Sequence, residues 1–418
     1  MDNKKYNIAV LGGGIVGGGV VELLSNYEYI NIKYLFVKNI YNRRNFIIPN
    51  NTEITSNVDL ILNDNEIDIY VEVMNDINTA LNIITNLLCK NKNVVTANKK
   101  LIAENIKYFD HIINTKKCKL CLEGSVCGGI PIIKSLLRDI NSDKINSITG
   151  IMNGTTNYIL TKMKKDKKKY EEVLIETQKL GYAESNPFVD ISGQDVRSKL
   201  IILSKLAFGI DIEYESIPIV GIDIIDNIDF EYCRNINSTI KMIGYVEEND
   251  EEIVIFITPS IISESNIISK IDGTNNIINI SSNNLGNSSF IGQGAGRYPT
   301  AQSVVADILS IINNNYISPF TKKCNKTIIT NYTSKFYIRF TVKESTNIIC
   351  KIYNICDGYN ILLNSVVNMP QNEENESKIF IVITEKTKKN NITKIITDIV
   401  KLGYCLQVPI FLPIIENS

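Results

Sequence analysis

The chain has no tryptophan and a single histidine, His111, among 418 residues. A His-ligated metal, a Ser-His-Asp triad or a histidine general base would each have to rest on that one residue. His111 lies in IKYFDHIINTKKC, whose apolar spacing is helical, so a helix-surface or satisfied structural histidine is the simpler reading. The general base is sought elsewhere. Neither sign of charge is in excess, since 44 Lys+Arg against 45 Asp+Glu leave a formal net charge of −1. No nucleic-acid partner is expected, because neutralising phosphates needs a surplus of cations. No apolar run reaches the roughly 18–20 residues that span a bilayer. The N-terminus MDNKKYNIAVLGGG also lacks a signal-peptide core. A soluble, cytoplasmic protein without membrane association is expected. The nine cysteines are odd in number and scattered, which argues against a disulfide framework. Cys118 and Cys121 form a CxxC without a second Cys/His pair, inside an apolar run that reads as a strand, and buried structural thiols are expected.

What is present is organised. At roughly 100–200 residues per domain the length implies two to four domains. YNIAVL reads as a buried parallel strand and feeds Gly12-Gly13-Gly14-Ile15-Val16-Gly17, followed by VVELLSN. That is GxGxxG at a strand-to-helix junction. Gly12 permits the turn, Gly14 lets a pyrophosphate approach the backbone, and Gly17 lets helix and strand pack closely. The helix N-terminus offers free amides and a positive dipole end to phosphates. A second strand at 32–37 ends in Lys38, with Arg43 and Arg44 shortly after and no carboxylate in the place that binds a ribose 2′-hydroxyl. A cation there suits the 2′-phosphate of NADP, with NAD as the alternative and a solvated basic loop as the plain reading.

Further strands follow at 67–74, in KNVVTANKK (whose polar end carries Lys99 and Lys100) and in CKLCLEGSV. The last leads through Cys127-Gly128-Gly129-Ile130-Pro131 into a helix, IIKSLLRDI. ITGIMNGTTNYILTKM joins a strand to a helix through the loop Asn153 to Asn157, and the basic run at 162–169 reads as a solvated face. A glycine cluster ending at Gly296 precedes the apolar helix YPTAQSVVADILSII, and residues 313–327 read as a linker. The remainder reads strand, helix, strand, strand, helix, strand, which is a ferredoxin-like order. The expected class is α/β. A Rossmann-type dinucleotide-binding domain takes 1–130 plus a returning helix at about 297–315, and an α+β substrate and oligomerisation domain takes 131–296. A linker at 316–334 joins these to the ferredoxin-like unit at 335–418.

Taken together, GGGIVGGGVVELL, VVTANKKLIA, CLEGSVCGGIPII, GIMNGTTNYILTKM, LGYAESNPFVDISGQDVRSKLIIL and GAGRYPTAQSVVADIL resemble the homoserine dehydrogenase family, in the family's order, to about residue 315. The C-terminal unit resembles an ACT domain. The resemblance implies reversible, NAD(P)-dependent interconversion of L-homoserine and L-aspartate 4-semialdehyde in threonine, methionine and isoleucine biosynthesis. It implies Glu184 and Asp195 as substrate ligands with Asp190 and Thr155 beside them, Lys199 as acid/base, and Lys99 as a second active-site lysine between nicotinamide and substrate. If DVRSKL opens a helix, Asp195 and Lys199 share a face at i,i+4 spacing. Cofactor contacts are implied at Gly12, Gly14, Ile15, Val16, Gly17, Lys38, Lys99 and Gly296. A monovalent cation, commonly sodium, is implied at Glu123, Val126, Gly128 and Ile130, mainly through carbonyls.

A homodimer or homotetramer and an amino-acid effector such as threonine are further implications. The sequence differs from the family at Asn75-Asp76, where a Gly-Gly pair is usual, and at residues 344–347, where the ACT unit usually has Pro-Gly. Two other readings are a semialdehyde dehydrogenase built on Cys127 and His111, and a non-catalytic NAD(P)-binding amino-acid sensor.

Overall fold

The computed structural model describes residues 4–343, 347–369 and 377–416. Of the residues at 344–347 that replace Pro-Gly, the first three therefore lie outside the described residues. The first third alternates short apolar strands with helices: β1 (Tyr6–Leu11), α1 (Ile15–Leu24), β2 (Ile30–Phe36), β3 (Glu53–Thr55), α2 (Val58–Leu62), β4 (Ile69–Glu72), α3 (Ile77–Cys89), β5 (Asn93–Thr96), α4 (Lys99–Glu104), α5 (Ile106–Thr115) and β6 (Leu120–Cys121). β1 and β4 read as near-continuous apolar runs because both faces of a parallel sheet are covered. The strands pair in parallel in the order β3-β2-β1-β4-β5-β6, so the order reverses beside β1, where doubly wound folds open a ligand crevice.

Only two residues of CKLCLEGSV are extended, because Glu123 begins a tight turn and Cys127 has a φ of +49°. The helix expected in IIKSLLRDI is α6 (Ile132–Lys134) widening into one π-type turn at Ser135–Asp139. The middle of the chain holds β7 (Ile145–Ile151), α7 (Gly154–Asp166), α8 (Tyr170–Lys179), α9 (Phe188–Ile191), α10 (Gln194–Phe208) and α11 (Asn227–Asn235). It continues with β8 (Ser238–Glu248), β9 (Glu252–Ser263), β10 (Asn275–Ser282), β11 (Gly286–Gln293) and α12 (Arg297–Ile312). α12 returns to the first sheet. Its Ala301, Val304, Val305 and Ile308 share a core with Val20, Val21 and Leu24 of α1, and Gly19 leaves the room, since a Cβ there would lie 2.9 Å from that of Ala301.

Residues after α12 do not cross open solvent. Phe320 is buried, the Lys322 ammonium donates to the Ala207 carbonyl, and Lys323 pairs with Asp110. The C-terminal part holds β12 (Thr327–Ile329), β13 (Thr333–Lys343), α13 (Ile348–Gly358), β14 (Leu363–Met369), β15 (Ser377–Thr384), β16 (Thr387–Lys388), α14 (Lys389–Lys401) and β17 (Ile410–Ile415). Its main strands pair in the order β17-β13-β15-β14, a ferredoxin-like sheet. That sheet is not separate. Ile414 and Ile415 of β17 pair in parallel with Ile261 and Ile262 of β9, giving a sheet of eleven strands among the described residues. Within the same set no helix is long and apolar enough to cross a membrane.

Candidate active site

The Gly12 turn ends β1 against the loop that follows β4. Gly12 has a φ of +122°, and a side chain there would press on the Val73 carbonyl at 2.6 Å. A Cβ on Gly17 would lie 1.8 Å from the Gly12 carbonyl oxygen, so only glycine lets α1 start this close to the turn. Gly14 is the opposite case: a Cβ there meets nothing within 4 Å. Open space stands over the first amides of α1, whose first turn carries no acidic residue and whose N-cap has no side-chain acceptor. An anion fits that cradle. Beside it, the exposed Lys38 pairs with Asp76 at 3.2 Å, and Asp76 also caps α3 by accepting from the Thr79 amide. Those two bonds, the amide first, hold the Asp76 carboxyl below its usual range. Arg44, over Gly13, points a buried Nε that has no partner.

Across the crevice, α10 starts at Gln194 because Gly193 takes a φ of +96° and turns the chain from α9. Asp195 and Lys199 then sit one turn apart, both buried, with Lys199 Nζ 2.8 Å from Asp195 Oδ2. The same ammonium donates to the Met152 carbonyl at 2.5 Å. Lys99, the first residue of α4, reaches Asp195 Oδ1 at 2.9 Å. One carboxylate thus joins two lysines. Burial alone would raise the Asp195 carboxyl, but Lys199 and Lys99 overturn it and hold the group well below the usual carboxylate range. In return, the Asp195 charge raises the Lys99 ammonium above its ordinary value against the effect of burial.

Asn153 completes the cluster. Its Oδ1 caps α7 by accepting from the Thr156 amide at 2.8 Å, and its Nδ2 donates to Asp190 at 2.8 Å and Asp195 at 2.9 Å. Asp190, without a lysine of its own, is pushed up by burial and by the neighbouring Asp195 charge. Lys99, Asp190, Asp195 and Lys199 are therefore brought together. Thr155, in the first turn of α7, donates its hydroxyl to the Tyr182 carbonyl at 2.8 Å and so ties down the segment before Glu184. Glu184 itself is exposed and makes no side-chain bond to the cluster. Gly296 caps α12 with a φ of +127°.

Glu123 does not offer its carboxylate to a cation. Both oxygens accept amides, from Ile133 at 2.9 Å and Lys134 at 2.8 Å, and its own amide donates to Asp307. The carbonyl of Gly128 accepts from the Ser303 hydroxyl at 2.5 Å, and that of Ile130 from the Ile132 amide. No group of three or more His, Cys, Asp or Glu side chains converges among the described residues. The Cys127–His111 pairing is excluded by position: Cys127 is buried against Asn276 and Met152, whereas His111 is exposed on α5. Asn153 and the Met152 carbonyl were not visible as site residues in the sequence.

Comparisons with known proteins agree with one another. Residues 131–309 match the family model described as homoserine dehydrogenase, and residues 12–120 match the one described as homoserine dehydrogenase, NAD binding domain. The homoserine dehydrogenase of Helicobacter pylori is 32% identical over 97% of this chain and 98% of its own. That of Bacillus subtilis is 29% identical over 97% of each. The crystal structure of a homoserine dehydrogenase from Thiobacillus denitrificans superimposes with a TM-score of 0.88 at 27% identity, covering 99% of both chains. The sensor reading finds no support in these matches.

Proposed function

This chain belongs to the homoserine dehydrogenase family, and on that premise we propose how its own residues divide the reaction. The enzyme is an oxidoreductase of amino-acid biosynthesis that acts on a CH–OH group with a nicotinamide dinucleotide, interconverting L-homoserine and L-aspartate 4-semialdehyde. The observation that carries the proposal is the single carboxylate, Asp195, shared by Lys99 and Lys199.

Lys199 is the acid/base. Two of its three ammonium bonds are taken by Met152 and Asp195, which fixes the direction of the third, and its burial keeps competing water away. In the reducing direction it gives its proton to the aldehyde oxygen as the hydroxyl forms. In the oxidising direction the free amine takes that proton back. Lys99, kept charged by Asp195, faces the same oxygen and stabilises negative charge there. Asp190 and Asp195 draw the substrate ammonium, with Thr155 beside them. Glu184, exposed at the edge of the cluster, is the remaining candidate ligand for that ammonium. A nicotinamide held in the crevice would supply the hydride to the aldehyde carbon, or accept it from the carbinol carbon, while Lys199 moves the proton.

For the cofactor, Gly12, Gly14 and the amides of Ile15, Val16 and Gly17 receive the pyrophosphate, and Gly296 approaches it from α12. Lys38 takes the 2′-phosphate, which favours NADP over NAD, although Asp76 competes for the same cation. A monovalent cation such as sodium is held by the carbonyls of Glu123, Val126, Gly128 and Ile130, not by the Glu123 carboxylate. The C-terminal unit is an ACT-like domain with threonine as its candidate effector, and the enzyme works in the cytoplasm as a homodimer or homotetramer. The domains divide as 1–130 with 297–315, 131–296 and 335–418.

Steady-state rates of aspartate semialdehyde reduction with NADPH and with NADH test the assignment on the wild type and Lys199→Ala. Faster turnover with NADPH is expected, with kcat at least ~10²-fold lower in the variant. Undiminished kcat in Lys199→Ala would overturn it.

A further inference from the structure

Lys99 is half-buried and sits at the very start of a short helix, so something must hold that start in place. The residue that does so is Glu72, the last residue of β4 and completely buried. Its Oε1 accepts from the Met74 amide at 2.7 Å and its Oε2 from the Thr96 hydroxyl at 2.6 Å. The Thr96 oxygen in turn accepts from the Asn98 amide at 3.0 Å. The Asn98 side chain closes the ring: its Nδ2 donates to the Met74 carbonyl at 3.4 Å while its Oδ1 caps α4 at the Leu101 amide, 3.3 Å away. Burial raises the Glu72 carboxyl against these bonds.

We propose that Glu72 is a positioning residue for the reaction, clamping the loop after β4 to the loop after β5 so that Lys99 stays aimed at Asp195. The ring fixes both flanks of Lys99. On one side it sets Asn98, the N-cap of α4; on the other it sets Met74, against which the Gly12 turn packs. Neither Glu72 nor Thr96 bonds to any member of the Lys99–Asp195–Lys199 cluster, so their effect must pass through the backbone that carries Lys99. A misplacement of about 1 Å at such a point costs on the order of 10²-fold in rate. The inference rests on the assignment of Lys99 to the active site made above.

The test uses Thr96→Val, which keeps the side-chain shape and removes the hydroxyl, and Thr96→Ser, which restores it. Each is measured for aspartate semialdehyde reduction with NADPH, alone and combined with Lys99→Ala. Thr96→Val is expected to lower kcat at least ~10-fold and Thr96→Ser less than ~2-fold, with the NADPH KM moving less than kcat. Combined with Lys99→Ala, Thr96→Val should add less than a further ~2-fold, because the route is already cut. Glu72→Ala should follow Thr96→Val, since it removes both acceptors. Equal losses from Thr96→Val in both backgrounds, or no loss in either, would overturn the clamp while leaving Lys99 in the site. Wild-type kcat in Lys99→Ala alone would overturn the Lys99 assignment and the clamp with it.

Discussion

Asp195 neutralises two lysines in a place where water is scarce, so each charge in the cluster depends on the others. Its pairing with Lys199 could be read from the i,i+4 spacing of DVRSKL once a helix was assumed. The pairing with Lys99 could not, because 96 positions separate the two residues and only tertiary folding joins them. Asn153 was hidden for another reason, since a cap residue in a polar loop looks the same whether or not its amide also grips two carboxylates. The glycine turn was more legible because each glycine there answers a separate steric demand. Gly14→Val should leave the thermal midpoint close to wild type yet abolish NADPH binding, since its side chain enters the open space above α1. Gly17→Ala should differ by also lowering the midpoint, through its collision with the Gly12 carbonyl. Fluorescence titration and thermal melts separate the two, and equal effects in both variants would contradict this reading of the turn.

Among the elements, the long apolar runs and apolar helices matched the sequence within a few residues, as β1 and α12 show. β3, β12 and β16 were not foreseen: two or three residues carry too little pattern, and their extension is imposed by the neighbouring strand. The β10–β11 hairpin shows how one side chain can stand in for such a pattern. Asp143 accepts from the amides of Leu285, Asn284 and Lys144, and these bonds, the Leu285 amide first, lower its carboxyl to about 2 from 3.8. A depressed carboxyl contributes stability that is present above the unfolded value and lost as pH falls through the folded one. Asp143→Asn should therefore be less stable than wild type at neutral pH, with the gap closing as pH drops from 3.8 towards about 2. Urea midpoints across that range check it, and a gap that does not change with pH would contradict it.

Over the whole molecule, the ferredoxin-like unit was legible as a strand order, but its attachment was not. Edge pairing between β9 and β17 leaves no signature in either strand, since Ile414 and Ile415 read as any apolar pair. The attachment is reinforced by a buried knot in which Asp229 of α11 accepts from both Tyr337 at 2.5 Å and Arg339 at 2.8 Å of β13. Arg339 also donates to the Ile224 carbonyl, and nearby Ile222 bonds through its amide to Ile191 at the end of α9, just before Asp195. The C-terminal unit and the substrate side of the crevice thus belong to one packed body. The most direct test of the central claim is chemical rescue of Lys199→Ala, following aspartate semialdehyde reduction while small primary amines such as ethylamine are added. Activity should be nearly absent without amine and rise with the concentration of amine, while saturating NADPH binding stays intact. Full activity before any amine is added, or none restored by amines that fit the vacated space, would contradict a proton carried by Lys199.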